Sequence, residues 1–530
     1  MTKDTAAIEL RRDLGLAGAV SIVIGTVIGS GIFLVPRAMV LRVGSPSLVF
    51  VVWVFGGLLS LSGALSYAEL AAAMPEAGGE YVYLREAYGP LWGFLYGWTQ
   101  MWVAKSGSIA TLATGFFYYL TNFFPFLDGV FYTVPLPLGA HGAPLELRYG
   151  QLFAMALILF LGGVNYFGVK LGGEIQIGVT IVKVLLIAFI IVAGLGFGRA
   201  HPADTAARPH PLTIAGFFAA LVAALWAYDG WNNVSMVASE IRRPQRSLPL
   251  ALIFGTMAVI AIYLAANAAY FHVLTASQVG ASERVAADMM RHVVGGWGAR
   301  AVSIAAMISI FAALNGSILS GSRVPYAMAR DGRFFSGMAR VNAAYHTPGV
   351  SIWALSIWSA LLVLSGRYEQ LFTYVIFASW ILYGMTTAAV VVLRHKRPDL
   401  PRPYKTLAYP VLPVLFVFVA ISLVLSTLID SPRESLFGIV LIVLGLPYYI
   451  KSLDFRLGFL GFFLGAIVGF LLRPAAPLGD RLPFEAVFSL GMPAARMSFA
   501  IMLAAASAGA AAGVLAGRLL SPSIRSKSPT

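Results

Sequence analysis

Two short stretches hold the residues best suited to chemistry: Gly25-Thr-Val-Ile-Gly-Ser-Gly-Ile-Phe33 and Trp226-Ala-Tyr-Asp-Gly-Trp-Asn-Asn233. Each places glycine and polar residues in the middle of a long apolar run. A helix in hydrocarbon satisfies its backbone internally, because lipid offers no hydrogen-bond partner. A break at that depth is tolerated only against protein or a water-filled cavity. At such a break one helix half ends in unpaired carbonyls and the next begins with unpaired N–H groups of partial positive charge. Those two sets suit an α-amino acid, whose ammonium seeks carbonyls and whose carboxylate seeks N–H donors. A pair of Gly-interrupted spans in corresponding positions of two halves is the best sequence pointer to a carrier's binding site.

In the first break Gly29, Ser30 and Gly31 allow a ligand close to the backbone, since glycine has no Cβ to obstruct it. The N–H groups of Ser30, Gly31 and Ile32 are the candidates for the carboxylate. The competing reading is close helix packing, strongest for Gly25 and Gly29, which are spaced four apart. In the second break Asp229 is either a proton carrier or a cap on a helix half beginning near Trp231. Capping is the preferred reading. Trp226 could close over a ligand or simply pack. Lys183 lies within an apolar span, so it must find carbonyls or hydroxyls. It could replace a bound sodium ion, exchange a proton, or serve as a fixed structural anchor. Lys105 resembles it with less support.

The elements that position these residues follow from composition. The chain has 530 residues, 59% hydrophobic and 11% charged, where soluble proteins carry about 25% charged. Apolar runs near the ~20 residues needed to cross a bilayer recur throughout. They predict spans at 16–40, 46–73, 90–120, 150–168, 175–197, 213–238, 250–274, 300–328, 349–366, 370–393, 411–429 and 435–451. Two more follow at 457–472 and 497–519. An N-terminus in the cytoplasm puts most Lys and Arg on the inner side, strongest after spans 6, 8 and 10. Both termini are then cytoplasmic, in the cell membrane. The net charge of +14 is explained by these loops and not by nucleic acid. The expected organisation is a cytoplasmic N-terminus (1–15), two five-helix units (16–197 and 213–393), helices 11 and 12 (411–451) and an appendage (453–530). The appendage ends in an Ala/Gly-rich span of the kind that packs closely.

With these residues placed, the chain resembles the amino acid–polyamine–organocation superfamily, and within it the L-type amino acid transporters and their bacterial relatives. The resemblance rests on Ile24 to Phe33, Ser66-Tyr-Ala-Glu-Leu70, Trp226 to Asn233 and Glu240-Ile-Arg-Arg-Pro244. Asn315-Gly-Ser317, Ser322-Arg323 and Arg394-His-Lys-Arg-Pro398 complete it. It covers roughly residues 10 to 451. It implies an all-α fold of two inverted five-helix repeats with discontinuous helices 1 and 6. It places the carboxylate on the N–H groups of Ser30, Gly31 and Ile32, and the ammonium on carbonyls of Val27, Trp226 and Asp229. Trp226 falls at an aromatic gate and Asn232 near the substrate. Lys183 falls where sodium-independent members carry a lysine, touching span 1 and a span-8 hydroxyl such as Ser317 or Ser320. Asp229 stands where some animal members have glycine, and Lys105-Ser106 replaces a common Arg-Pro.

The function implied is sodium-independent transport of neutral L-amino acids by alternating access, by exchange or coupled to protons. A polyamine carrier and a non-transporting amino acid sensor are the alternatives. The polyamine reading calls for more intramembrane carboxylates than the chain has. No nucleophile–base pair or metal cluster stands out, so no enzyme, metal or cofactor is expected. The chain has no cysteine, which removes any disulfide to a partner subunit of the kind animal members use. The amino acid and the lipid bilayer are the partners expected, with the oligomeric state open.

Overall fold

The computed structural model describes residues 9–134, 145–199, 213–364, 368–430 and 432–450. The expected spans at 457–472 and 497–519 lie outside them. The chain divides into two units, Met1–Thr427 and Leu428–Thr530. In the first unit span 1 is two helices, α1 (Leu16–Val27) and α2 (Gly31–Val43), bent by 40° at the break. Then come α3 (Pro46–Ala73), α4 (Glu80–Tyr88), α5 (Pro90–Thr99) and α6 (Lys105–Leu120), the last two joined by a π-helical turn at Gln100–Ala104.

A hairpin of β1 (Val130–Val134) and β2 (Leu145–Arg148) precedes α7 (Tyr149–Tyr166) and α8 (Val169–Phe197). This small antiparallel pair corrects the all-α expectation. Span 6 follows as α9 (Ile214–Tyr228) and a four-residue α10 (Asn233–Met236), shorter than the 213–238 reading and starting later than Trp231. The unit continues with α11 (Pro244–Val273), α12 (Ala276–Ala281), α13 (Val285–Val294), α14 (Gly296–Gly321) and α15 (Arg323–Arg330). It closes with α16 (Gly349–Val363), α17 (Tyr368–Lys396) and most of α18 (Val411–Asp430). The second unit's described part ends in α19 (Pro432–Val443) and α20 (Leu446–Tyr449). Among the described residues six helices are long and apolar enough to cross a membrane, seven if the bent α1–α2 pair is one span.

Small residues set the packing at the broken helices. α1 lies against α8, α11 and α14, α2 lies along α9, and α3 runs beside α11. A Cβ at Gly25 would meet Thr180 Oγ1 at 2.8 Å, so Gly25 serves close approach of α1 to α8. Before α1, Leu14 pairs with the segment after α10: its N–H donates to Glu240 O at 3.0 Å, and Arg242 N–H donates to Leu14 O at 2.8 Å.

The same segment carries a fully buried ion pair. Arg323 donates to both carboxylate oxygens of Glu240, at 2.7 and 3.0 Å, and its other arm reaches Leu319 O and Ser322 Oγ. Removing one partner of such a pair strands the other charge and costs about 3–5 kcal/mol. Arg323→Met is therefore expected to lower the thermal unfolding midpoint in detergent by several degrees. An unchanged midpoint would contradict this role.

Candidate functional site

The two breaks meet. α1 ends at Val27 because Gly29, Ser30 and Gly31 follow, and α9 ends at Tyr228, where extended Asp229 (φ −64°, ψ 144°) leaves the helix. Gly230 then takes φ +109°, a left-handed conformation that glycine adopts without a Cβ penalty. A Cβ there would also sit 3.2 Å from the Thr26 backbone, and one at Gly31 would sit 2.7 Å from Ala227 Cα. Thr26 Oγ1 lies 2.8 Å from Gly230 O, and Tyr263 Oη lies 3.0 Å from Val27 O and 2.8 Å from Ala227 O. One tyrosine hydroxyl on α11 thus bridges the carbonyl ends of both α1 and α9.

Between the breaks lies a small cavity. Span 1 contributes Thr26, Val27, Gly29, Ser30 and Gly31, and span 6 contributes Trp226, Ala227, Asp229, Gly230 and Asn233. Ser108 and Leu112 of α6 and Ser317 of α14 complete the wall. α2 starts at Gly31 with Ser30 as its N-cap residue, and the first N–H groups of a helix lie beyond the reach of its own carbonyls. Ser30 and Gly31 line the cavity, so the positive end of the α2 dipole lies at its wall, where an anionic group is favoured.

The carbonyl side is partly occupied. Lys183, wholly buried, donates to Gly25 O and Ile28 O, each at 2.7 Å. Its ammonium therefore sits on the unwound end of α1. The span-8 hydroxyl at this point is Ser309, whose Oγ donates to Ile28 O at 2.8 Å. This corrects the expectation of Ser317 or Ser320. Ser320 donates within its own helix to Gly316 O at 2.7 Å, and Ser317 faces the cavity.

Several other expectations are corrected. Asp229 caps no helix with its side chain: α10 starts later, behind Asn232, and Asp229 Oδ1 accepts from Tyr383 Oη at 2.7 Å. Asn232 does not line the cavity; it is buried and donates to Glu80, while Asn233 turns inward. Ile32 is buried in packing and also does not line the cavity. Of the three expected ammonium acceptors, Val27 O already receives Tyr263 and Trp226 O receives Asp229 N–H at 3.2 Å. A carbonyl has two lone pairs, so neither is thereby closed to a second donor. Lys105 is buried and donates to Asn233 Oδ1 at 2.5 Å.

Thr26, Tyr263, Ser309, Asn233 and Ser108 are the residues that sequence reasoning missed. Tyr263 carried a usable signal, because a buried tyrosine hydroxyl in an apolar helix must find an acceptor. The others did not stand out from neighbouring small polar residues.

A helical membrane protein with broken helices meeting at a cavity is, in class, a carrier. The chain belongs to the amino acid permease family, which it matches over residues 14–445. It is 32% identical over 456 residues to the human b(0,+)-type amino acid transporter 1, covering 85% of this chain and 90% of that protein. The serine/threonine exchanger SteT of Bacillus subtilis is 32% identical over 443 residues, 83% of this chain and 96% of that protein. The human cystine/glutamate transporter is 30% identical over 446 residues, 83% of this chain and 85% of that protein. The family and these relatives are transporters, not enzymes.

Proposed function

We propose that this chain exchanges neutral L-amino acids across the cell membrane, independently of sodium, by alternating access. The observation that carries the proposal is the cavity walled by both breaks, with Ser30 and Gly31 from the start of α2 and Val27, Trp226 and Asp229 from the helix ends among its lining residues. The carboxylate takes the α2 N-terminus, and the ammonium takes carbonyls of Val27, Trp226 and Asp229. Trp226 closes over the substrate. Lys183 holds the Gly25 and Ile28 carbonyls, doing there what a sodium ion would do.

The small cavity, with Ala227, Leu112, Ser108 and Ser317 in its wall, suits short uncharged side chains. Among the described residues that line it, Asp229 is the only carboxylate, which speaks against polyamines. The breaks fall in the first helix of each proposed inverted repeat, 16–197 and 213–393, so rocking one bundle about the site would open it to either face. The name of one relative, the serine/threonine exchanger SteT, is the support for exchange over net import.

The test is uptake of labelled serine, alanine and threonine into proteoliposomes. Uptake is expected to require unlabelled amino acid inside and to be unchanged when choline replaces sodium. Concentrative uptake into empty vesicles driven by inward protons would replace exchange with proton symport. Uptake that stops without sodium would overturn the role given to Lys183.

A further inference from the structure

Behind the span-6 break lies a buried carboxyl that the transport scheme does not use. Glu80 begins α4, in the loop between spans 2 and 3, and is fully buried. One carboxylate oxygen accepts from Tyr96 Oη at 2.7 Å, and the other accepts from Asn232 Nδ2. The loop leading to it is docked on the same segment: Gly78 N–H donates to Met236 O at 2.9 Å. Gly79, at φ +52°, leaves no room for a Cβ, which would sit 2.7 Å from Ser235 Oγ. Asn232 is held in turn by Ser235, whose N–H and Oγ both donate to its carbonyl. Its neighbour Asn233 lines the cavity and binds Lys105.

Two features point to a ligand here. Asn232 Oδ1 is a buried acceptor with no partner among the described residues. The groups that face Glu80 also leave the charge unbalanced. They are Tyr83 of its own helix, Tyr67 of α3, Tyr96 of α5, Lys105 of α6 and Tyr383 of α17, with Asp229 across from Lys105. Two carboxylates and one ammonium share this buried region, since Lys183 is committed to α1. One proton removes the excess negative charge.

We propose that Glu80 is a proton-binding positioning residue, and that its protonation sets the placement of the Asn232–Asn233 turn and hence the affinity of the pocket. Ionised, Glu80 accepts from Asn232 Nδ2. Protonated, it donates its new O–H to Asn232 Oδ1 after the amide turns over. That movement pairs the orphaned oxygen with Glu80 and puts Nδ2 in its former place, so one hydrogen bond joins the two side chains in either state. Burial pushes the Glu80 carboxyl above the ordinary carboxylate range, opposed by the bonds from Asn232 and Tyr96 and by the charge of Lys105. The pocket side of this inference rests on the proposed function; the proton site itself does not.

The test uses the full chain with two readouts, each taken from acid to alkaline pH: the KM for exchange in proteoliposomes and the unfolding midpoint in detergent. A carboxyl raised in the folded state stabilises below its unfolded pKa, and that stability is lost as pH rises through the folded pKa. Wild type should show this fall together with a change in KM. In Glu80→Gln, a neutral mimic of the acid, both dependences on pH should be lost and KM should stay at the wild-type acid value. Tyr96→Phe removes one donor to the charged form and should move the midpoint of both profiles up by about one pH unit. This second variant keeps the test decisive if Glu80→Gln does not fold. Wild-type pH profiles in Glu80→Gln, a uniform loss of stability at every pH, or an unmoved midpoint in Tyr96→Phe would each overturn the proposal. If no amino acid is exchanged at any pH, the transport reading fails while the unfolding profile still decides the proton site.

Discussion

Gly31→Leu is expected to abolish exchange, lowering it by at least about 100-fold, while the protein still folds. A Cβ at this position would lie 2.7 Å from both Cα and Cβ of Ala227. The obstacle is partly backbone, so it cannot rotate away, and relief requires the two breaks to separate. Separation would pull the N–H groups at the start of α2 away from the carbonyl end of α9. Gly178 is the control, because nothing lies within 4 Å of its Cβ position. Gly178→Leu should exchange as wild type does. Proteoliposome exchange, with unfolding midpoints for both variants, checks the pair, and wild-type exchange by Gly31→Leu would refute the site.

Lys183→Met is expected to have the next largest effect. The ammonium now donates to Gly25 O and Ile28 O, and among the described side chains Ser309 is the other donor to Ile28 O. Removing it leaves buried carbonyls short of a donor, at about 1–3 kcal/mol for each group left unmade. It also removes the positive charge that fixes the unwound end of α1. Exchange should fall by more than about tenfold and the unfolding midpoint should drop. Full activity in this variant would show that the lysine is not part of the site, and an unchanged midpoint would show that it does not anchor α1 either.

The breaks themselves could be read from the chain, since Gly-Ser-Gly and Asp-Gly in the middle of apolar runs oppose a continuous helix in lipid. The need of Lys183 for carbonyls was equally legible, because a deep ammonium has few alternatives. What failed was direction and depth. Asn232 and Asn233 are adjacent in an irregular turn, where no periodicity says which one faces the cavity. Ser309 and Ser317 lie about two turns apart on one face of α14, roughly 12 Å along its axis. Sequence identified that face but not the level at which Lys183 meets α1. Asp229 looked like a cap because the next helix was expected to begin near Trp231; it begins at Asn233. The β1–β2 hairpin was missed because its strands are short and sit in a loop between spans.

The central claim is that the pocket holds both charged ends of one zwitterion, and competition by trimmed analogues addresses it most directly. Labelled alanine exchange would be measured against excess L-alanine, its methyl ester and its deaminated acid. The esterified compound lacks the anion for the α2 N-terminus, and the deaminated one lacks the ammonium for the break carbonyls. Only the intact amino acid should compete. Equal inhibition by either trimmed compound would contradict the account.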